Sequence, residues 1–174
     1  MIEVMFPSKT VAFEQTPLSS DCGVAATRSI YASLMGVVLD EKSLKDKLGV
    51  HKEHGTKPSE IKKFFEEKGL IVIEEENRTI EDIKKELGEG RLCLVVYQAW
   101  GTEKEYQELE SGHYSVIYGV DDEHVYLLDP SIHKDDGLGL GRRKLSLERF
   151  LANWRDKDDW GKVYIRWCLA VGVK

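Results

Sequence analysis

The sequence has 174 residues, of which 41% are hydrophobic and 32% are charged, and its formal net charge at pH 7 is −6. This length corresponds to about one domain and is enough to bury a sizeable core, so we expect a single domain over residues 1–174. The composition is typical of a soluble globular protein and argues against disorder. The negative charge argues against a nucleic-acid-binding protein, because the only dense basic cluster is Arg142, Arg143 and Lys144.

The N-terminal segment, the apolar runs and the cysteines indicate the compartment. The segment "MIEVMFPSK" lacks the basic and apolar regions of a signal peptide. No apolar run approaches the roughly 18 residues that a membrane span needs. Three cysteines far apart in the sequence are typical of free thiols in a reducing compartment. We therefore expect a cytoplasmic protein without a membrane span, and the sequence leaves its oligomeric state open.

The first half of the sequence is typical of helices. Apolar residues at helical spacing predict a helix from Cys22 to about Met35, and Asp21 is its natural N-cap. Further helices are predicted after the N-cap Asp40, at Pro58, and after the capping box of Thr79 and Asp82, with the glycines Gly49, Gly69 and Gly88 at their ends.

The second half is dominated by strand patterns. A strand is predicted at "LIVIEEE", and four more follow at "RLCLVVYQ", "HYSVIYGV", "HVYLLD" and "KVYIRWCLAV", with one helix, "SLERFLANW", before the last. The charged residues 101–112 and the glycine-containing residues 131–141 are predicted as loops beside a cleft. The expected fold class is α+β, with N-terminal helices packed on a C-terminal antiparallel sheet.

Cys22 is the candidate nucleophile. A cysteine in the first turn of a helix faces unpaired N–H groups and the positive end of the helix dipole, which favour the thiolate. Cys93 and Cys168 lie inside apolar strand patterns, where a thiol behaves as a small hydrophobic group. From position alone, a structural cysteine at a helix start remains an alternative for Cys22.

His113 and Asp129 are the candidate partners of this cysteine. If residues 121–123 form the turn of a hairpin, Asp129 falls within a few residues of the position opposite His113, on a strand about 4.8 Å away. A lone carboxylate after an apolar strand would be costly to bury without a partner. The alternative is that Asp129 only begins a turn with Pro130. The histidines at 51, 54, 124 and 133 lie in polar loops or turns and are predicted to be surface residues.

Two further motifs have weaker interpretations. His51 and His54 have metal-ligand spacing only on a helix, and the neighbouring Gly55 and the lack of a third ligand argue against zinc. The "GLGLG" stretch lacks the GxGxxG spacing and is predicted as a flexible loop, not a phosphate cradle. We therefore expect neither a metal nor another cofactor.

In this order and spacing the residues resemble a family, the bacteriocin-processing, double-glycine-leader cysteine peptidases. These are papain-like enzymes, often fused to peptide-exporting transporters. The resemblance is carried by Gln15 seven residues before the Cys22 of "DCG", by "GHYSVIYGVDDEHVYLLDP", and by a helix that ends in Trp154. It implies a papain-like fold with Cys22 as nucleophile, His113 as general base and acid, Asp129 as the residue that orients His113, and Gln15 in the oxyanion hole.

The resemblance also implies a peptide or small-protein substrate that is cut after paired glycines. The small residues Gly23, Ala25 and Ala26 would permit a close approach of a glycine backbone, so we expect small residues before the cut bond. Unlike transporter-fused members, this sequence has no membrane span and no ATP-binding motif. Two alternatives remain: a papain-like transpeptidase that passes the acyl group to an amine or thiol, as phytochelatin synthases do, and an inactive peptide-binding module.

Overall fold

The computed structural model describes residues 4–174, apart from the side chains of residues 105 and 106; residues 1–3, which belong to the segment "MIEVMFPSK" used above, lie outside it. The strands are β1 (Val4–Met5), β2 (Ile71–Glu75), β3 (Leu92–Gln98), β4 (Gly112–Val120), β5 (His124–Leu128), β6 (Arg142–Ser146), β7 (Arg155–Lys157), β8 (Val163–Ile165) and β9 (Cys168–Gly172). The helices are α1 (Cys22–Met35), α2 (Glu41–Leu48), α3 (Pro58–Glu67), α4 (Ile80–Gly88), α5 (Glu103–Glu108) and α6 (Leu147–Asn153).

Capping signals predicted from the sequence are present at α2 and α4, and a glycine also ends α1. α1 ends where Gly36 adopts a left-handed φ of 67° and donates its N–H to the carbonyl of Ala32. α2 begins where the carboxylate of Asp40 accepts a hydrogen bond from the N–H of Ser43 at 2.8 Å. The capping box of Thr79 and Asp82 is present at the start of α4. The helices of the first half are therefore confirmed.

The main sheet is antiparallel, with the strand order β2-β9-β3-β4-β5-β6 and with β1 paired to β4. The predicted hairpin is present, because β4 and β5 are joined by the three residues 121–123. Leu128 at the end of β5 pairs with Val116. The next residue, Asp129, therefore lies at the end of the hairpin at which β4 begins with Gly112 and His113.

The helices pack on this sheet and bury its apolar side chains. α1 contacts β4, α4 contacts β3 and β4, and α6 contacts β3, β5 and β6. Trp154 and Trp167 are buried in the core, and the indole N–H of Trp154 donates to the carbonyl of Trp167 at 3.0 Å. Among the described residues, no helix is both long and apolar enough to cross a membrane.

The predicted single strand "KVYIRWCLAV" is wrong, because a bend divides it. Arg166 has a left-handed φ of 46°, which a continuous strand does not contain. Before the bend, β8 pairs with β7 in a separate two-stranded sheet. After it, β9 enters the core between β2 and β3. The apolar pattern continues on both sides of Arg166, so the pattern alone could not show the bend.

One predicted loop contains a helix, and the basic cluster lies on a strand. Residues 101–112 contain the short helix α5, and the basic cluster lies on β6. Leu145 of β6 is buried, whereas Lys144 is exposed. Because strand side chains alternate between faces, Arg143 lies on the same face as Leu145. That placement directs one member of the basic cluster toward the interior.

Candidate active site

A cleft of about 1090 Å³ lies where the start of α1 meets the start of β4. Cys22, His113 and Gln15 line it, whereas Asp129 lies behind them and is fully buried. Both predicted flanking loops contribute, since residues 108–110 and residues 131 and 133 also line the cleft. The structure therefore brings the four predicted site residues to one place.

Cys22, His113 and Asp129 form a connected row. The imidazole Nε2 of His113 lies 2.6 Å from Oδ1 of Asp129. A hydrogen-bonding interaction with the side chain of Cys22 raises the pKa of the imidazole. Because Nε2 is used by Asp129, Nδ1 is the ring nitrogen that is left for the sulfur. This arrangement suits an imidazole that exchanges a proton with a thiol.

Hydrogen-bond donors surround the buried carboxylate of Asp129. Its Oδ1 accepts from the N–H of Ser131 at 3.0 Å and from the hydroxyl of Ser131 at 2.7 Å. Its Oδ2 accepts from the hydroxyl of Tyr97 at 3.0 Å. Burial raises the pKa of Asp129, but the hydrogen bonds from His113 and Ser131 and the charge of His113 outweigh it and hold this pKa well below its usual range. Asp129 is therefore ionised at neutral pH.

His113 is almost completely buried, with 2% of its surface exposed. The ring of Trp100 covers it, with the two ring centroids 4.9 Å apart. Burial lowers the pKa of His113, but the hydrogen bonds to Asp129 and Cys22 have the larger, opposite effect, and together with the nearby negative charges they raise this pKa to about 9. The imidazole is therefore protonated at neutral pH, which makes it both a proton donor and a counter-charge for a thiolate.

Gln15 lies in the cleft but already uses part of its carboxamide. Its Nε2 donates to the carbonyl of Ser19 at 2.9 Å, and its backbone N–H donates to the carbonyl of Pro130 at 2.9 Å. Nε2 carries a second N–H group, which is the one left for another acceptor. Oε1 is buried and has no hydrogen-bond partner among the residues that the structure describes.

Asp21 is the N-cap residue of α1, as predicted, but it does not cap the helix through its side chain. Its carboxylate instead pairs with the ammonium group of Lys45 on α2, at 2.6 Å. The ion pair ties α2 to the start of α1. The Asp21 side chain therefore does not occupy the N–H groups beside Cys22.

The small residues after Cys22 do not have the predicted role either. Gly23, Ala25 and Ala26 are buried against the protein and do not line the cleft. A Cβ atom on Gly23 would lie 3.0 Å from Cβ of Thr56 and 3.2 Å from Cδ2 of Tyr114. Gly23 therefore permits close packing between α1 and β4, and that packing places Cys22 beside His113.

The other histidines and the glycine loop have local partners. His54 pairs through Nδ1 with Asp159 at 2.6 Å, and His133 pairs through Nδ1 with Glu14 at 2.7 Å. The N–H groups of Gly137 and Gly139 both donate to Asp135 within their own loop. Over the described part of the chain, no group of three or more His, Cys, Asp and Glu side chains could hold a metal ion.

Several residues in or behind the cleft were not anticipated from the sequence. Trp100 covers His113, and Tyr97 contacts Asp129. Asp156 lies above Gly112, where any Cβ atom would clash with its carboxylate. Burial raises the pKa of Asp156 to about 6, and the charges of Asp158 and Asp159 add to the rise. The polar end of the predicted strand "RLCLVVYQ" could have drawn attention to Tyr97. No sequence pattern indicates the roles of Trp100 and Asp156, because they depend on how a loop and a strand are placed in the fold.

Comparison with known proteins assigns the family. Residues 10–157 match the model of the peptidase C39 family. The chain belongs to the peptidase C39 family. The double-glycine peptidase resemblance seen in the sequence is thereby confirmed, and the protein is a cysteine peptidase. A search among curated protein sequences finds no significant match.

Solved structures of this class share the fold. A C39-like peptidase from Bacillus anthracis superposes with a TM-score of 0.71 at 17% identity, covering 100% of this chain and 99% of that one. A double glycine motif protease from an AMS/PCAT transporter, in complex with the leader peptide, gives a TM-score of 0.66 at 15% identity with 100% of both chains covered. The peptidase domain of Streptococcus ComA, a bifunctional ABC transporter of a quorum-sensing pathway, gives 0.66 at 17% identity, covering 94% and 98%. The expected papain-like α+β fold is therefore confirmed.

The three cysteines of this C39 peptidase differ in accessibility, which gives a first prediction. All three are free thiols, but Cys22 is partly exposed in the cleft, whereas Cys93 and Cys168 are fully buried. We expect iodoacetamide near pH 7 to alkylate Cys22 at least tenfold faster than the other two, as measured by peptide mass spectrometry of the folded protein. Equal labelling of all three would contradict a nucleophilic Cys22.

Proposed function

We propose that this C39 peptidase hydrolyses peptide bonds through Cys22 as nucleophile, His113 as general base and acid, and Asp129 as the residue that orients His113. The observation that carries the proposal is the buried 2.6 Å contact between His113 and Asp129, with the partly exposed Cys22 beside His113 in the same cleft. A thiol, an imidazole and a carboxylate in this row are the groups that acyl transfer requires.

In the proposed reaction, the thiolate of Cys22 adds to the carbonyl carbon of the peptide bond. The protonated His113 gives its proton to the leaving amine nitrogen, so that the C–N bond breaks and a thioester remains on Cys22. Neutral His113 then takes a proton from a water molecule as the water oxygen adds to the thioester. The C–S bond breaks, the carboxylic acid product leaves, and the thiolate–imidazolium pair is restored.

Gln15 is the proposed side-chain donor of the oxyanion hole. The carbonyl oxygen of the substrate becomes negatively charged in the tetrahedral intermediate, and donors already in place lower the energy of that charge. The second N–H of Gln15 Nε2 and the backbone N–H of Cys22 at the start of α1 are the groups proposed here. The hydrogen bonds of Gln15 to Ser19 and Pro130 support this role by limiting its movement.

The proposed substrate is a peptide or small protein with a small residue, glycine first, before the cut bond. One of the solved structures of similar fold is a double glycine motif protease with a leader peptide. In this chain the support comes from Trp100, which is half exposed, lines the cleft and lies over His113. A large side chain beside the reacting carbonyl would meet this indole. A reducing compartment such as the cytoplasm fits the proposal, because Cys22 has to remain a free thiol.

The roles of the three residues can be tested by substitution. We expect Cys22→Ala and His113→Ala to abolish cleavage of a peptide-library substrate while circular dichroism shows intact folding. Asp129→Asn should lower kcat on the order of 10²- to 10⁴-fold without abolishing it, because this residue orients the imidazole and does not itself react. His133→Ala is the matched control, since His133 also lines the cleft but pairs with Glu14. Loss of activity in His133→Ala with full activity in His113→Ala would refute the assignment.

The role of Gln15 has its own kinetic signature. Gln15→Ala keeps the backbone hydrogen bond to Pro130 and removes both side-chain N–H groups. We expect kcat to fall on the order of a hundredfold with little change in KM, because the oxyanion exists only in the transition state and the intermediate. Gln15→Glu, which keeps the shape of the side chain but removes the donors, should behave alike. A rise in KM alone would make Gln15 a substrate contact instead.

The preference for glycine can be tested with paired peptides. Two peptides that differ only by Gly or Leu immediately before the cut bond should differ at least tenfold in kcat/KM, because the indole of Trp100 excludes the larger side chain. Trp100→Ala should reduce this ratio by admitting leucine, whereas Trp160→Ala, which removes another half-exposed cleft tryptophan, should leave it. A wild-type preference for large apolar residues would refute the narrow site and leave the three catalytic assignments untouched.

A further inference from the structure

Three strands of the sheet, β3, β4 and β6, each place one polar side chain near the carboxylate of Asp129, which directly follows β5. Tyr97 on β3 lies directly opposite His113 on β4. Asp129 follows β5, and Arg143 lies on β6 opposite Leu127 of β5. Tyr97 and Arg143 have no part in the reaction proposed above. Their contacts with Oδ2 of Asp129, the oxygen that His113 does not use, raise the question of what they do.

The contacts join Arg143 to Asp129 both directly and through Tyr97. One guanidinium nitrogen of Arg143, Nη1, lies 3.2 Å from the hydroxyl oxygen of Tyr97 and 3.4 Å from the carbonyl oxygen of Ala99. The same nitrogen lies 3.7 Å from Oδ2 of Asp129. The hydroxyl of Tyr97 in turn donates to Oδ2. Arg143 is therefore held at a fixed place near the carboxylate, although 19% of its side chain is exposed.

The two oxygens of Asp129 consequently face two different cations. Oδ1 contacts the imidazole of His113, whereas Oδ2 faces Tyr97 and Arg143. Tyr97 remains a neutral donor, because burial and the charge of Asp129 raise its pKa far above the physiological range. The guanidinium is always charged. The guanidinium competes with the imidazole for the negative charge of the carboxylate, and it repels the positive charge of a protonated His113.

We propose that Arg143, held in place by Tyr97, is a positioning residue that orients Asp129 and limits the pH up to which His113 remains protonated. This inference rests on the proposed function, because it concerns the same His113. The other titratable groups near the pair are Cys22 from α1 and Asp156 of β7, which lies over Gly112. Both are anionic when ionised and favour the protonated imidazole, so Arg143 is the cation that opposes them.

The sign of the effect follows from the charges. Removing the guanidinium removes a repulsion on protonated His113 and leaves more negative charge on Asp129, and both changes keep the imidazole protonated to a higher pH. Because both cations contact the same carboxylate, at 3.7 Å and 2.6 Å, they lie within about 9 Å of each other. At that distance a unit charge shifts a titration by about 0.3 pH unit at the dielectric constant of water and by more at the lower dielectric constant of a protein. Tyr97→Phe removes the donor on Oδ2 and should shift the titration in the same direction.

The test follows the pH dependence of Cys22 alkylation, which needs no knowledge of the substrate. Iodoacetamide is reacted with the full chain from pH 4 to pH 11, and Cys22 modification is quantified by mass spectrometry. In the wild type the rate should change at alkaline pH as His113 loses its proton. In His113→Ala the reactivity below that step should be lost, and only the rise that accompanies ionisation of the thiol itself should remain. We expect Arg143→Met to move the step upward by about half a pH unit or more. Arg143→Lys, which keeps the charge, should leave most of the wild-type position.

Lys144→Met is the matched control, because it removes the same net charge from the neighbouring, exposed position of β6. It should not move the step. The shift of the Tyr97→Phe/Arg143→Met double variant should be smaller than the sum of the single shifts, since Arg143 contacts the hydroxyl that Tyr97→Phe removes. Thermal unfolding shows whether Tyr97→Phe is folded; if it is not, the Arg143 variants and Lys144→Met decide alone.

The outcomes separate this inference from the proposed function. If the wild type has no alkaline step that depends on His113, the proposed pairing of Cys22 with His113 is wrong, and the inference falls with it. If the wild type has the step and Arg143→Met leaves it in place, or shifts it downward, only the inference is overturned. An equal shift in Lys144→Met would show a general charge effect and would also overturn it.

Discussion

The buried carboxylate of Asp129 is the constraint on which the site depends. A buried charge is stable in a protein only where hydrogen bonds and an opposite charge replace its lost hydration. Asp129 has His113 and Ser131 on one oxygen and Tyr97 on the other. These partners belong to different strands and to a loop, so the stability of one charge requires the correct order and register of β3, β4 and β5. The hydrogen bond from His113 helps to keep the carboxylate ionised, and the same hydrogen bond fixes the orientation of the imidazole.

The second requirement is a close contact between two parts of the fold. α1 has to approach β4 closely enough for Cys22 to reach His113, and a Cβ atom at Gly23 would crowd Thr56 and Tyr114. The ion pair of Asp21 with Lys45 ties the same end of α1 to α2. The start of α1 and the imidazole of His113 then meet at Cys22, as the proposed reaction requires.

These few requirements are compatible with the low sequence identity to proteins of the same fold. The chain shares its overall structure with peptidases to which it is only 15–17% identical. A hydrophobic core tolerates many substitutions as long as volume and pattern are kept. The position of a buried carboxylate, of its imidazole partner and of a glycine at a helix–strand contact is far less tolerant, because each depends on particular atoms and not on average hydrophobicity.

Short-range sequence patterns were sufficient to predict most helices and strands and the candidate site residues. The helix that begins at Cys22 follows from apolar spacing, and the placement of Asp129 near His113 follows from a three-residue turn between two strands. Such features involve residues that are close in the sequence or joined by one hairpin, so local propensity and strand geometry are sufficient to predict them.

Contacts between segments that are distant in the sequence could not be predicted in this way and became visible only in the folded structure. The hydroxyl of Tyr97 reaches Asp129 and Arg143 because β3, β4, β5 and β6 are neighbours in the sheet, which no local pattern reveals. Likewise, Asp21 pairs with Lys45 because α2 packs against α1. The bend at Arg166 allows β9 to enter between β2 and β3, although the apolar pattern runs through it without a break. In each case the contact depends on the free energy of packing and charge pairing between elements. These elements become neighbours only in the complete fold, so local sequence patterns cannot predict the contact.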